Sequence, residues 1–253
     1  MNIWTRKGSL RVLWTGLTIT SLLTACSEET EHMGHDFVDF GLSVRWATCN
    51  VGAESPAQRG DFVAWGETSA KTLYDWDSYT LCQGAFDQLT RYNSDTCYGK
   101  TDYLAQLDPE DDAASVQWGG HWRTPAMTEW AALKRRGCWI WTSDYNHSGV
   151  CGYMVFVPKA DADHGAQTED PTLLSAHYEL TDPHIFLPAT GYKYYDQHCD
   201  TVSGGFYWSN TLNLHSPSDA YSVDFHSSGF GRDYGRSGGR VIRAVYPKDD
   251  KDN

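Results

Sequence analysis

The chain carries few positive charges for its length. Its 253 residues include 20 lysines and arginines but 33 aspartates and glutamates, so the formal net charge is −13 at pH 7. Binding to a nucleic-acid backbone needs a basic face that displaces counterions from phosphates. The sequence therefore predicts no nucleic-acid partner.

Motifs for metal-dependent or hydrolytic chemistry are also scarce. No H-E-x-x-H motif occurs, and no two cysteines have the C-x₂₋₄-C spacing of zinc sites. Asp161, Asp163 and Gly165 are spaced like the start of a calcium loop, but no glutamate follows at the closing position. We therefore expect no metal, no cofactor and no catalytic residues, and we interpret this loop, together with His32 and His35, as solvated.

The start of the chain has the order of an export signal. Arg6, Lys7 and Arg11 precede a mostly apolar run over residues 12–23, which is too short to span a bilayer. The run leads into L-T-A-C, a string that resembles the lipobox of bacterial lipoproteins and ends at Cys26. The resemblance implies that residues 1–26 are a signal peptide and that Cys26 becomes acylated. An ordinary secretory signal is the alternative.

The residues after Cys26 predict where the protein is held. Residues 27–36 are acidic and lack apolar periodicity, which is typical of a tether. The string S-E-E-T-E that opens them resembles the signal that sends some lipoproteins to the outer leaflet of the outer membrane; a merely solvated linker is the alternative. We expect an outer-membrane, lipid-anchored protein exposed at the cell surface, with one domain over residues 37–247 and a charged tail over residues 248–253.

Six cysteines remain after Cys26. An even number in an exported chain favours disulfides, although six cysteines allow fifteen pairings and the sequence does not select one. Cys82 with Cys97 is the preferred pair because both lie in one turn-rich stretch, and Cys49 and Cys138 are further candidates. The high content of tryptophan and tyrosine (11 and 15 residues) predicts a loop-rich domain held by aromatic anchors.

Short apolar runs between polar loops predict an α+β domain. One helix is expected to start with Asp108 as its N-cap and Pro109 in its first turn, and another to cover residues 126–136 and end at Gly137. The predicted strands are short; they lie near residues 37–46, 61–66, 138–142, 152–157, 185–187, 206–209, 220–225 and 239–246. Two short helices among many strands are typical of the α+β class.

Seven strings follow one another in the order known from one family of surface lipoproteins of gut anaerobes. They are VDFGLSVRWATCNVGA, GDFVAWGET, LDPEDDAA, WGGHWRTPAMTEWAAL, IFLPATGY, FYWSNTL and GRVIRAV, and they span residues 37–246. The chain therefore resembles the FISUMP-type, or major paralogous, domain. That family is similar to the C-type-lectin-like fold in its formylglycine-generating-enzyme branch, so the resemblance implies this fold.

The resemblance does not carry over the chemistry of its relatives. The formylglycine-generating oxidase needs a late pair of cysteines, and no cysteine follows Cys199. Calcium-dependent sugar binding needs Glu-Pro-Asn or Gln-Pro-Asp loops, which this chain does not contain. Ala126 stands where the family has a threonine or serine N-cap, which costs about 1 kcal/mol. The sequence therefore predicts a non-enzymatic protein, and a degenerate formylglycine-generating-enzyme-like enzyme is a remote alternative.

The C-terminal segment has an unusual composition. Residues 212–241 contain no lysine, glutamate, glutamine, methionine or tryptophan. Mutation of the adenines in an AAC asparagine codon reaches serine, aspartate, histidine, glycine, arginine, tyrosine and phenylalanine, but none of these five types. The same stretch is asparagine-rich elsewhere in the FISUMP family. The pattern resembles the variable region of proteins diversified by a retroelement, and loops that drift without such diversification are the alternative.

This segment predicts a ligand-binding surface over residues 212–240. Tyrosine, serine, glycine, aspartate and arginine together are typical of an antibody-like paratope. The predicted binding residues are His215, Ser216, Ser218, Asp219, Ser222, Asp224, His226, Phe230, Arg232, Asp233, Tyr234 and Arg236.

The prediction requires that these side chains face water. Alanine at Arg232, Tyr234 and Arg236 would then abolish binding without lowering the melting temperature, whereas Trp122 and Trp208 should be buried. The expected partner is a protein or glycan on another cell, a host or a phage. A structural or fimbria-associated role without diversification is the alternative.

Overall fold

The protein has a mixed α+β fold in which short antiparallel strands predominate. The computed structural model describes residues 32–159, 177–200, 203–226, 229–230 and 234–248. Twelve strands of this part are named here; they are β1 Phe37–Asp39, β2 Val44–Ala47, β3 Cys138–Thr142, β4 Gly152–Phe156, β5 His184–Pro188, β6 Tyr192–Tyr194, β7 Gln197–Cys199, β8 Gly204–Leu212, β9 Asp219–His226, β10 Gly229–Phe230, β11 Tyr234–Gly235 and β12 Val245–Pro247. The predicted fold class is therefore confirmed at the level of α+β.

The strands form four small antiparallel sheets. Their orders are β1-β2-β12, β3-β4-β5, the hairpin β6-β7, and a sheet in which β9 pairs with β8 on one side and with both β10 and β11 on the other. In the first sheet, Val245 of β12 lies opposite Trp46 of β2. The two ends of the domain are thus held together by backbone hydrogen bonds.

Two α-helices lie between the second and third strands of the chain: α1, Ala113–Trp118, and α2, Met127–Arg136. The second helix is where the sequence predicts it, and Glu129 accepts a hydrogen bond from the backbone of Ala126 at 2.8 Å. Ala126 has no side-chain acceptor, so one half of a capping box is missing. Within the described residues, none of the helices is both long and apolar enough to cross a bilayer.

The start of the first helix differs from the prediction. Asp108 precedes a 3₁₀ turn, Pro109–Asp111, and the α-helical N-cap is Asp112, whose carboxylate accepts from the backbone of Ala114 at 2.9 Å. The same carboxylate accepts from the backbone and hydroxyl of Thr124 at 2.8 and 2.7 Å. Asp112 caps the helix because these bonds hold it in place, whereas Asp108 pairs with Arg91.

Three predicted strands differ from expectation. Residues 37–46, predicted as one strand, form the antiparallel pair β1 and β2. Residues 61–66 contribute a single bridge, between Val63 and Arg240, and regular pairing near the C-terminus is confined to β12. The extended residues from Gly239 to Val241 bond in turn to Lys193, Val63 and Tyr207. No continuous ladder forms there because successive residues face different neighbours.

The two largest hydrophobic clusters of the core contain several buried tryptophans. One contains Trp65, Trp122 and Trp208, and the other contains Trp46 and Trp130. The indole of Trp130 donates to the backbone carbonyl of Trp208 at 3.3 Å, which links the clusters. Trp122 and Trp208 are buried, as the sequence predicts.

The predicted disulfide framework is wrong for this structure. Among the described residues, Cys49, Cys82, Cys97 and Cys138 are free thiols. Cys82 bridges to one side of Leu89, and Gly99, two residues beyond Cys97, bridges to the other. A shared turn-rich stretch therefore does not bring Cys82 to Cys97.

Candidate functional site

The turn between β8 and β9 presents the exposed part of the predicted binding surface. Leu214 is 50% exposed and His215 is also exposed, while Ser216, Ser218 and Asp219 are half-buried. We call these five residues the turn surface. The leucine side chain and the histidine ring lie at the tip of the turn, with two hydroxyls and a carboxylate beside them. The turn surface therefore offers both apolar and polar contacts.

The backbone of the turn surface is held rigidly. Asn213 accepts from the backbone of His215 at 3.0 Å through its side chain, and Asp219 donates to the Ser216 carbonyl at 2.8 Å. The Ser216 hydroxyl donates to the Asp219 carboxylate at 2.6 Å. A rigid backbone with exposed side chains lowers the entropy lost on binding.

A neighbouring loop adds an exposed aromatic residue that the sequence analysis does not single out. Tyr103 is 71% exposed and has a left-handed backbone, with φ of 61°. Its loop adjoins the turn surface, because Ala105 accepts from the backbone of Leu212 and Ser94 donates to the Leu214 carbonyl, both at 2.9 Å. Tyr103 lies in a stretch that the sequence predicts only as long, aromatic-rich loops. What distinguishes this tyrosine is its left-handed backbone, which cannot be read from the sequence.

Two of the predicted binding residues, Ser222 and Asp224, are buried, which corrects the prediction. They are the cross-strand neighbours of Trp208 and Phe206 in β8 and lie on the same face of the sheet as these rings. The Arg240 guanidinium covers the Trp208 ring at 4.5 Å. Alternation along the strand directs them to this face, so they serve as internal polar groups. His226, at the end of the same face, is half-buried and lies 3.3 Å from Asp200.

The Asp224 carboxylate has an incomplete set of partners. Its Oδ1 accepts from the Ser222 hydroxyl at 2.9 Å and lies 3.7 Å from Arg240 Nε. Its Oδ2 has no hydrogen-bond partner among the described residues. Burial raises the pKa of Asp224 to about 6, against the opposing influence of Arg240, Ser222 and His226.

This pKa predicts a pH-dependent contribution to stability. The folded-state pKa of Asp224 lies above the unfolded value of 3.8. The contribution of Asp224 to the free energy of unfolding is therefore complete below pH 3.8 and is lost as the pH rises through about 6. The stability of Asp224→Asn relative to the unchanged chain should therefore increase by about 2–3 kcal/mol between pH 4 and 7. Urea unfolding across this range measures it. A difference that is independent of pH would show that Asp224 ionises normally.

Arg236 is the clearest correction. Its side chain is 0% exposed. It donates to the Tyr79 hydroxyl at 2.7 Å and to the backbone carbonyls of Tyr92, Pro217 and Arg91 at 2.7, 3.0 and 2.7 Å. The expectation that alanine here spares the melting temperature is therefore wrong, because Arg236 fastens the turn after β8 to the loop beneath it.

The remaining predicted sites fall outside the described part of the chain. Cys26, Arg232 and Asp233 lie outside the described residues, as does the acidic loop at residues 161–165. The backbones of Phe230 and Tyr234 lie in β10 and β11 beside β9, and their side chains are likewise outside the description. The single surface predicted over residues 212–240 is thus divided between exposed, buried and undescribed positions.

Catalytic and metal-binding arrangements are not evident in the described residues. They contain no group of three or more histidine, cysteine, aspartate or glutamate side chains able to hold a metal ion. The spacing G-x-S-x-G does occur at residues 235–239, but Ser237 is buried and the segment continues into bridges with Lys193 and Val63. A nucleophile elbow leads instead into a helix and exposes its serine.

A small cavity lies on the sheet formed by β3, β4 and β5. Its volume is about 160 Å³, and Tyr145, Phe156 and Tyr178 contribute aromatic walls. The ring of Tyr145 stacks on Phe186 at 3.9 Å, and that of Tyr178 stacks on Phe156 at 4.9 Å. This volume is below the range of about 300–1,000 Å³ that holds most small-molecule ligands.

Comparison with known proteins returns no match, whether against protein-family models, curated proteins or solved structures.

Proposed function

We propose that the protein is a non-catalytic recognition protein, anchored to the outer membrane through a lipid on Cys26, that binds a protein or glycan ligand through the turn surface and Tyr103. The likeness to the FISUMP-type domain supports the proposal at the level of sequence. The ligand would reside on another cell, a host or a phage. Compared with the sequence prediction, the proposed surface excludes Ser222, Asp224 and Arg236.

One observation carries the proposal: exposed side chains stand on a backbone that is fastened from below. Leu214 and His215 face solvent, while the carbonyls of Pro217 and Ser218 accept from Arg236 at 3.0 Å each. Binding surfaces built on rigid supports lose less entropy when a ligand docks. Tyr103 adds the kind of large, stiff contact that is enriched in paratopes.

For the fold, we propose the C-type-lectin-like arrangement that the resemblance implies. The observed α+β composition is compatible with it. So are the sheet in which β2 pairs with both β1 and β12 and the long loops between α2 and β9. In such a scaffold, loops vary while the paired ends and the tryptophan core stay constant.

Diversification by a retroelement is proposed for exposed positions of the turn surface alone. Random substitution at Asp224 or Arg236 would disturb buried hydrogen bonds, whereas His215 faces water. The coding DNA tests this directly. A nearby template repeat with adenines at the codons of exposed residues supports diversification, and its absence, or adenines confined to buried positions, contradicts it.

Replacing Tyr103 tests the binding surface. Tyr103→Asn should weaken ligand binding tenfold or more, which is about 1.4 kcal/mol, because the exposed ring is lost. The same change should raise the free energy of unfolding by about 0.5–1 kcal/mol, because asparagine tolerates a left-handed backbone better than tyrosine. Glycan and protein arrays probed with the processed chain identify the ligand, and titration and urea unfolding measure the two effects.

A matched control is Tyr195→Asn, since Tyr195 is also exposed and left-handed, with φ of 52°. It should relieve similar strain and leave the array ligand bound. The proposed surface would be contradicted if Tyr103→Asn and Tyr195→Asn both lost binding. It would also be contradicted if neither Tyr103→Asn nor the double variant Leu214→Ser/His215→Ala lost binding.

A further inference from the structure

A second exposed surface lies around the tip of the β6–β7 hairpin and the loop after residue 72. Its aromatic members are Trp76, Phe86, Tyr194 and Tyr195, and its carboxylates are Asp75, Asp77, Asp87 and Asp196. We call these eight residues the aromatic–carboxylate patch. It does not coincide with the turn surface and shares no residue with it.

Three of the four aromatic rings of the patch are exposed although they are hydrophobic, and the fourth, Trp76, is half-buried. Phe86 is 52% exposed and Tyr194 is 54% exposed. Phe86 contacts Trp76 edge to face at 6.5 Å, and Tyr194 contacts Tyr195 in the same manner at 4.6 Å. Exposed aromatic clusters on a soluble surface usually mark a site of interaction.

The hairpin tip is held in a strained conformation. Tyr195 has a left-handed backbone, which is unfavourable for an L-residue with a large side chain. Two hydrogen bonds of 2.9 Å each join the backbones of Tyr195 and Tyr74, so the tip is fixed to the loop that bears Asp75 and Trp76. Strain that the surrounding structure maintains is typical of functional positions.

The electrostatic character of the patch is negative. Between residues 72 and 90 the chain has three aspartates and no lysine or arginine, and between residues 194 and 200 it has two aspartates and again neither cation. Within the described part of the chain, none of the ion pairs includes Asp77, Asp87 or Asp196. The flanking cations are engaged elsewhere: Lys71 pairs with Glu67 at 2.9 Å, and Lys193 lies over the Phe62 ring.

The carboxylates and rings lie close together. The pKa of Tyr195 is raised by Tyr194 and, to a smaller extent, by the negative charges of Asp75 and Asp77. A β-carbon on Gly84, two residues before Phe86, would lie 3.5 Å from the Asp77 carboxylate. Aromatic faces and carboxylates at such short range are the two groups that attract an organic cation.

We propose that the aromatic–carboxylate patch binds a lysine- or arginine-bearing segment of a partner protein, with cationic side chains over the rings and paired to the carboxylates. The negative charge of the patch favours this partner over a neutral glycan, since a cation gains Coulomb attraction from the carboxylates that an uncharged ligand does not. The inference is independent of the turn surface. A β-carbon on Gly235 of β11 would lie 3.9 Å from the Trp76 ring, so the patch adjoins β11.

Titration with an oligoarginine peptide at low salt tests the proposal on the processed chain. Asp77→Asn/Asp196→Asn should weaken binding about tenfold, and Tyr195→Asn about threefold to tenfold, because the pairing charges or a cation-binding ring are lost. Addition of salt should weaken binding further, as expected for exposed charges. Since both aspartates are exposed and Asn tolerates the Tyr195 backbone, these variants should fold normally.

Two controls distinguish the patch from the general negative charge of the chain. Glu54→Gln/Glu179→Gln removes the same number of exposed charges outside the patch and should change affinity by less than about twofold. Tyr103→Asn removes an exposed tyrosine with a left-handed backbone beside the turn surface and should leave oligoarginine binding unchanged. Equal weakening by both charge pairs, unaltered binding in Tyr195→Asn, or binding that salt does not affect would overturn the proposal.

Discussion

Arg236→Ala is expected to lower the free energy of unfolding by about 3–5 kcal/mol. The guanidinium donates four hydrogen bonds, to Tyr79 and to three backbone carbonyls, in a fully buried position. Removing it leaves these acceptors without a donor, and each unsatisfied buried group costs about 1–3 kcal/mol. It also removes a cation stacked 5.1 Å from the Trp65 ring. Chemical denaturation measures the loss.

The shape of the guanidinium should matter as well as its charge. Arg236→Lys keeps the charge but cannot reach four acceptors in one plane, so it should retain less than half of the lost stability. Arg135→Ala removes an exposed arginine of α2 and should change stability by less than about 0.5 kcal/mol. If Arg236→Ala were as harmless as Arg135→Ala, Arg236 would face water, as the sequence predicts, and the corrected binding surface would have to include it again.

Trp208→Ala is expected to destabilise the protein by about 3–5 kcal/mol, as large-to-small changes of buried aromatics do. The indole is 1% exposed and packs in the core beneath the guanidinium of Arg240 at 4.5 Å. Its Nε1 donates to the Val63 carbonyl at 2.8 Å, which ties β8 to the extended segment that carries Val63. Loss of this side chain would leave a cavity and remove one of the two hydrogen bonds that the Val63 carbonyl accepts, the other coming from the backbone of Arg240 at 3.0 Å.

A smaller change separates these two contributions. Trp208→Phe retains most of the buried apolar surface but not the indole hydrogen bond, so it should cost about 1–2 kcal/mol. Thermal and urea unfolding of both variants measure the difference. Equal losses in Trp208→Phe and Trp208→Ala would mean that the hydrogen bond accounts for the whole effect, and losses below about 1 kcal/mol in both would contradict the burial of this residue.

Local signals in the sequence predict part of this fold well. The pattern of apolar residues places β3, β4, β5, β9 and α2 within a residue or two of their observed bounds. Gly137 ends α2, and Trp122 and Trp208 are buried, both as predicted. These features depend on neighbours in sequence or on the size of a single side chain, which explains why the sequence suffices for them.

Features that depend on distant partners were predicted poorly. Asp108 has every local property of an N-cap, yet Asp112 takes that position because Thr124, twelve residues later, also binds its carboxylate. Cys82 and Cys97 lie in the same stretch of chain, but Leu89 separates them. In both cases a contact invisible in the local pattern decides the outcome.

Contacts with distant residues also decide which side chains of the C-terminal segment are exposed and which are buried. Composition marks residues 212–241 as unusual, and His215 is exposed as predicted. Arginine, serine and aspartate are common on surfaces, so composition also assigns Arg236, Ser222 and Asp224 to the surface. The structure buries them because the interior supplies carbonyl, hydroxyl and guanidinium partners for each.

The sequence by itself thus determined the α+β class, the position of the main strands and the second helix, and the deficit of positive charge. Only the tertiary structure decided which polar side chains meet a partner inside and which remain in water. It also brought the Tyr103 loop beside the β8–β9 turn, and the Tyr195 hairpin beside Trp76. The physical reason is that burial of a polar group is set by its hydrogen-bond partners, and those partners come from remote parts of the chain.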